Sequence, residues 1–187
     1  TYNDADRNGI LALSEMTFSD SASFIGPTFP TRELAFAPTL ELLGRRLRLS
    51  GQLDAKWGFR KFNNTLRHQC QGGASCRGLY DKDAPLAVQA AALAANQPGV
   101  FAGMFEEGDF VRFREASAAY ELPARLARAA RSQRLVLVLT GRNLGVRTNY
   151  TGVDPESSRD NSDTRGNEEF FATPPLRYVT VRLNPTF

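Results

Sequence analysis

Apolar and polar positions alternate with a period of two along five stretches of the chain, and this predicts strands with one greasy and one wet face. The first stretch, Arg32 to Leu43, sets Leu34, Phe36, Pro38, Leu40 and Leu42 on one face and Ala35, Ala37, Thr39 and Glu41 on the other. After Gly44 and Arg45, the second runs from Arg46 to Phe59. Leu47, Leu49, Gly51, Leu53, Ala55, Trp57 and Phe59 share one face, and Arg46, Arg48, Ser50, Gln52, Asp54 and Lys56 the other. The third, Asp109 to Leu122, carries Val111 and Phe113 in one phase but Ala116, Ala118 and Tyr120 in the opposite one; a bulge near Arg114 and Glu115 reconciles them. The fourth, Arg134 to Leu144, is apolar on both faces at its start, which leaves its orientation open. In the fifth, Leu176 to Phe187, Val179, Val181, Leu183 and Phe187 alternate with Tyr178, Thr180, Arg182 and Asn184.

The connections alternate between short and long. Residues 60–108 form a long insertion with an alanine-rich run, Pro85 to Ala95, that predicts a short helix. Ala124 to Arg131 predicts a brief helical link, and Tyr150 to Thr173 is long and acidic, with Asp154, Glu156, Asp160, Asp163 and Glu168. Strands of about ten residues suit one tilted bilayer crossing. Long loops on one side and short turns on the other is the sidedness of outer-membrane barrels. Two architectures fit so far: a membrane barrel wall with lipid on the greasy row and a polar lumen behind it, or a soluble sandwich whose greasy rows face each other.

Composition narrows the function classes. The chain has 187 residues, and its net charge of +3 comes from basic residues spread along it, without the patch that nucleic acid requires. No window approaches the roughly 18 apolar residues of a membrane-spanning helix. A mean hydropathy of −0.35 is nevertheless compatible with a barrel, because lumen-facing positions are polar. The chain begins at Thr1 with no basic and then apolar leader, so its start reads as a cut. Cys70 and Cys76 are the two cysteines, and their spacing in a polar stretch predicts a disulfide in an oxidising compartment; a metal pair is disfavoured because His68 is the sole histidine.

One motif carries candidate chemistry. Asp4-Ala5-Asp6-Arg7-Asn8-Gly9-Ile10 through Glu15 fits the twelve-residue calcium-loop pattern. Asp4, Asp6 and Asn8 would offer side-chain oxygens, Ile10 a carbonyl and Glu15 a bidentate carboxylate, although no helix of useful length follows. The alternative is an Asx-rich turn without metal. No enzymatic constellation is found. His68 lacks companions, and Glu106, Glu107 and Asp109 read as a solvated rim rather than a carboxylate pair. Arg48, Asp54 and Lys56 read as a charge-paired wall, and the acidic loop after Tyr150 as plain loop, with contact to ligand or partner as the lesser alternative.

The run Phe110-Val111-Arg112-Phe113-Arg114-Glu115-Ala116-Ser117-Ala118-Ala119-Tyr120-Glu121-Leu122-Pro123 resembles a strand near the C-terminus of SusC/RagA-family transporters. Gly141-Arg142-Asn143-Leu144, followed by Tyr150, Gly152 and Asp154-Pro155-Glu156, is similar to that family's next signature, and Arg182 to Phe187 to its closing strand. The resemblance implies an all-β chain: antiparallel up-and-down strands forming the C-terminal section, about five strands, of a transmembrane barrel of about 22. Residues 1–30, 60–108 and 150–173 would be extracellular loops, residues 31–59 and 109–149 hairpins, and residues 174–187 the terminal strand. It further implies a bacterial outer-membrane importer of oligosaccharide or peptide, surrounded by lipid, driven through the TonB complex and closed by a SusD-like surface lipoprotein. The plug and TonB box of such proteins lie outside this sequence. The competing expectation is a soluble all-β calcium- or carbohydrate-binding module.

Overall fold

In a computed structural model, residues 1–72, 75–158 and 167–187 are described. In chain order the elements are β1 (Arg32–Phe36), β2 (Thr39–Leu42), β3 (Leu47–Trp57), β4 (Arg60–Asn63), α1 (Asn64–Gly72), α2 (Arg77–Tyr80), α3 (Leu86–Ala95), β5 (Phe105–Glu107), β6 (Phe110–Glu121), α4 (Ala124–Ala129), β7 (Arg134–Thr148), β8 (Glu168–Glu169) and β9 (Tyr178–Thr186). The chain divides into two compact units. A sheet unit comprises Arg32–Trp57, Phe110–Thr148 and Pro175–Phe187; a loop unit comprises Thr1–Thr31, Gly58–Asp109 and Asn149–Pro174.

The sheet unit is an antiparallel meander in the order β1-β3-β6-β7-β9, with β2 continuing β1 along β3. Pro38 separates β1 from β2 because it has no N–H for the ladder. Its carbonyl still accepts from Gly51 at 3.1 Å, and the register carries across the gap from Phe36↔Leu53 to Thr39↔Ser50. The register lines the apolar residues of all the strands into rows. Leu40, Leu49, Ala118, Leu139 and Val181 are successive cross-strand partners, and so are Leu42, Leu47, Tyr120, Leu137 and Leu183. The register shift between Phe113 and Glu115 falls where the sequence placed a bulge and brings Val111 and Phe113 into the same face as Ala118. It also settles the fourth stretch, with Leu137 and Leu139 on the apolar side.

This apolar face stays uncovered. Leu139 is 49% exposed and Val181 70%, and Leu34, Phe36, Leu49 and Leu53 are exposed as well, while Leu47 and Trp57 are half-buried. At the sheet's other end α4 packs against β7, where Ala127 and Leu135 are buried.

The loop unit is built the opposite way, around its own core. Phe62, Cys70, Cys76, Ala92, Ala95 and Met104 pack together, flanked by Leu66, Leu79, Ala91, Phe101 and Phe105. Cys70 and Cys76 are bonded to each other, with Cα atoms 4.9 Å apart. A small sheet in the order β5-β4-β8 forms one side, with β4 and β8 parallel. The alanine-rich run forms α3, whose Gln89 is buried: its amide oxygen accepts from Leu11 N at 2.8 Å and its Nε2 donates to Gly9 O at 2.9 Å, which ties the N-terminal segment to the helix.

One strand end differs from the pattern. Trp57 and Phe59 were expected on the same outward row, but β3 stops at Trp57. Gly58 turns the backbone into the left-handed region (φ 74°), where a Cβ would strike the Thr31 hydroxyl, and Phe59 is buried in the loop unit.

Candidate functional site

The polar face of the sheet is the broadest candidate surface. Its charges are paired across strands: Arg48 with Glu41 at 2.6 Å, Lys56 with Glu33 at 3.1 Å, Arg142 with Glu115 at 2.7 Å, Arg134 with Glu121 at 2.7 Å, and Arg114 with Asp54. Ser117 and Thr140 bond hydroxyl to hydroxyl at 2.9 Å on the same face. Each strand supplies these groups at alternate positions, so the wall is hydrated on one side and apolar on the other.

Within this face lies a pocket of about 560 Å³ lined by Arg112, Arg114, Glu115, Arg142, Asn143 and Tyr178, among others. Asn143 occupies a positive φ (52°), a conformation that Asn tolerates better than most residues, and there its side chain links two elements. Its Oδ1 accepts from Arg112 Nη1 at 2.7 Å and its Nδ2 donates to the Pro175 carbonyl. Arg142 donates through Nε to Glu115 and through Nη1 to the Tyr178 hydroxyl at 3.3 Å.

The loop unit holds a second polar cluster, and it is buried. Lys61 lies on β4 with no exposed surface; it donates to the Ser157 carbonyl and, at 3.0 Å, to Asn167 Oδ1, and it sits 5.7 Å from the centre of the Tyr150 ring. Burial pulls the Lys61 pKa down to about 8 against the opposing pull of Glu169, Asp154 and Glu156. Glu169 accepts from the Tyr150 hydroxyl (2.9 Å), the Val153 amide (3.2 Å) and the Thr65 hydroxyl (2.8 Å). Burial, together with the nearby Glu169 charge, pushes the Tyr150 phenol up. Gly152 is required here, because a Cβ would strike both the Glu169 carboxylate and the Tyr150 ring. The Tyr150–Glu156 signature therefore docks a loop.

Asp154 and Glu169 are buried beside Lys61, where their charges offset the cost of burying that cation, and the buried Glu168 accepts from Asn64 Nδ2. Asp160 and Asp163 lie outside the described residues. Glu106, expected on a solvated rim, accepts from Asn63 and from Thr151; Asp109 accepts from Gly58 N at 2.8 Å, and Glu107 lies 3.8 Å from Arg60. His68 is exposed and stacks on Phe170 at 4.7 Å. Lys61 and Glu169 escaped the sequence reading. The one local signal was that Arg60-Lys61 can face Glu106-Glu107 across a ladder, as β4 and β5 do.

At the N-terminal motif, carboxylate oxygens of Asp4, Asp6 and Glu15 lie within 4.8 Å of one another. Asp4 accepts from Asn8 N and Gly9 N, and Glu15 from Ala5 N and Ala12 N, so the loop is folded around its acids. Asn8 spends its Oδ1 on Ile10 N at 2.6 Å and its Nδ2 on Asp6. A three-residue 3₁₀ turn, Leu13–Glu15, follows in place of a helix.

No family profile and no curated sequence matches the chain. Among solved structures, a chain of the RagAB peptide importer in its open-open state superposes with a TM-score of 0.65 at 19% identity, over 95% of this chain and 20% of that one. The closed-closed state of the same importer gives 0.51 at 21% identity, over 73% and 15% of the two chains. A further RagAB peptide transporter structure gives 0.53 at 21%, over 74% and 15%. The sheet and its connections thus have a SusC/RagA-like fold, and the chain spans a fifth or less of the length of the importer chains it resembles.

Proposed function

We propose that the chain is a wall section of a bacterial outer-membrane nutrient importer of SusC/RagA type, energised through TonB and taking up oligosaccharides or peptides. The observation that carries this reading is the two-faced sheet: apolar rows left uncovered on one side, cross-strand charge pairs on the other. Lipid is then the solvent of the Leu139 row, and the lumen that of the Arg142 row. The likeness to a peptide importer supports the transport role and puts peptides among the cargo classes. A SusD-like surface lipoprotein and the TonB complex are the partners of this reading, and the Asp4–Glu15 loop is its calcium-binding element. A soluble calcium- or carbohydrate-binding module is disfavoured, because a sandwich encloses its apolar rows between two sheets.

The experiment is uptake. Cells lacking the intact protein lose import of at least one member of a panel of labelled oligopeptides and oligosaccharides. Import returns on complementation and stops when the TonB system is uncoupled. Undiminished import of the whole panel in the deleted strain contradicts the proposal.

A further inference from the structure

At the short-turn end of the sheet three arginines stand without partners. Arg125, Arg128 and Arg131 lie in the link between β6 and β7, residues 122–133, which contains no acid; all three are exposed, and none has a side-chain partner among the described residues. Resting on the importer reading above, we propose that this link is a lipid-headgroup site, in which the three arginines bind the phosphates of anionic phospholipid in the membrane leaflet on the short-turn side.

The link lies against the apolar side of the sheet. Leu135 shares its phase with Leu139, yet it is 5% exposed where Leu139 is 49%, and α4 packs on β7. Ala127, 2% exposed, marks the side of α4 turned to the sheet. At about 100° per residue, Arg125 then lies on the opposite side of the helix and Arg128 on a flank. Leu126 lies on the other flank, exposed, and continues the apolar surface beside the cations. Ser132 closes the link by donating twice to the Ala127 carbonyl, through its N–H at 2.9 Å and its hydroxyl at 3.1 Å, which fixes where Arg131 leaves the helix.

The counter-charge has to come from outside this wall. On the polar side of the same end, Arg48 and Arg134 carry their own acids, Glu41 and Glu121. The link has none to offer, and β6 and β7 are flanked by β3 and β9, so the adjoining strands are this chain's own. Lipid already solvates the neighbouring Leu139 row in the importer reading, and an arginine stem crosses apolar surface while its charge reaches headgroup depth. The guanidinium fork matches a phosphate, and each basic residue beside an anionic surface strengthens attachment about fivefold.

Titration of the intact protein in detergent with phosphatidylglycerol and with phosphatidylcholine, read by native mass spectrometry, tests this. At least one phosphatidylglycerol should bind about tenfold or more tightly than any phosphatidylcholine. Arg125→Gln, Arg128→Gln and Arg131→Gln combined should lose that molecule and bind phosphatidylcholine as before. Arg128→Gln alone should weaken it about fivefold, which keeps the test decisive if the triple variant fails to fold. Equal affinity for the two lipids, or a triple variant that binds phosphatidylglycerol as tightly as the unsubstituted protein, overturns the proposal. So does a hexaglutamate peptide that outbinds phosphatidylglycerol and is lost in the triple variant, which would assign the arginines to an acidic protein. Import that persists alongside any of these results would sink the headgroup site and leave the importer standing; loss of the importer reading shows separately in the uptake experiment.

Discussion

The sheet unit and the loop unit treat apolar side chains in opposite ways. In the loop unit Phe62 and Met104 are at most 1% exposed, enclosed by helices and closed by a disulfide. In the sheet unit the apolar rows run uninterrupted across the strands and stay open, while the charges opposite are paired. Comparable residues are thus packed against protein in one region and left uncovered in the other. The difference shows that hydrophobic content does not identify a core; the side that is covered does.

The largest expected effect lies in the loop unit. Phe62→Ala should destabilise that unit by about 3–5 kcal/mol, because it opens a cavity in an enclosed cluster. Proteolysis within residues 60–108 should accelerate while Trp57 fluorescence, which reports on β3, is unchanged; a shared loss would break the separation of the units. Leu139→Arg should cost the intact protein about 2–4 kcal/mol in lipid vesicles, as for a charge near the bilayer midplane. If water were the solvent of that row, the change would stay within about 0.5 kcal/mol.

Lys61 gives the next effect, with a defined sign. Its folded pKa of about 8 lies below the ordinary 10.5, so the opened loop holds its proton to higher pH than the closed one. Opening consumes a proton between those values, and the closed state gains about 2 kcal/mol as pH rises from 8 to 10. Above about 10 the gain reverses, because opening frees Tyr150 to ionise while burial keeps it neutral. Hydrogen exchange at the β4 amides, corrected for intrinsic rate, reads both limbs; protection that falls between pH 8 and 10 contradicts the assignment. The smallest effect belongs to the N-terminal loop, which about 2 mM calcium should stabilise by about 1 kcal/mol. Asp4→Ala or Glu15→Ala should abolish it, and an isotherm flat in the unsubstituted protein removes the metal reading.

Much of the sheet was legible because alternation is a local signal. The strand windows, the α3 and α4 helices and the bulge at Arg114 follow from residues near one another in sequence. What was not legible depended on distant partners. β4 and β8 span four and two residues, too short for a pattern, and pair across a long separation. The burial of Lys61 depends on Asn167 and Ser157, and Phe59 left its row because a single glycine changed the backbone's hand. For the candidate surface, the Arg48, Asp54 and Lys56 wall was readable as alternating charge, whereas the Arg142 pocket required the register that sets β6, β7 and β9 side by side.

The central claim is that lipid solvates one row of the sheet and water the other. Spin labels placed singly at Leu47, Arg48, Leu49, Ser50, Leu139, Thr140, Thr180 and Val181 of the intact protein in vesicles test it most directly, through collisions with oxygen and with a water-soluble nickel complex. Oxygen access should peak at Leu47, Leu49, Leu139 and Val181, and nickel access at Arg48, Ser50, Thr140 and Thr180, with a period of two. Equal nickel access on both rows, or an apolar row shielded from both reagents, would contradict it.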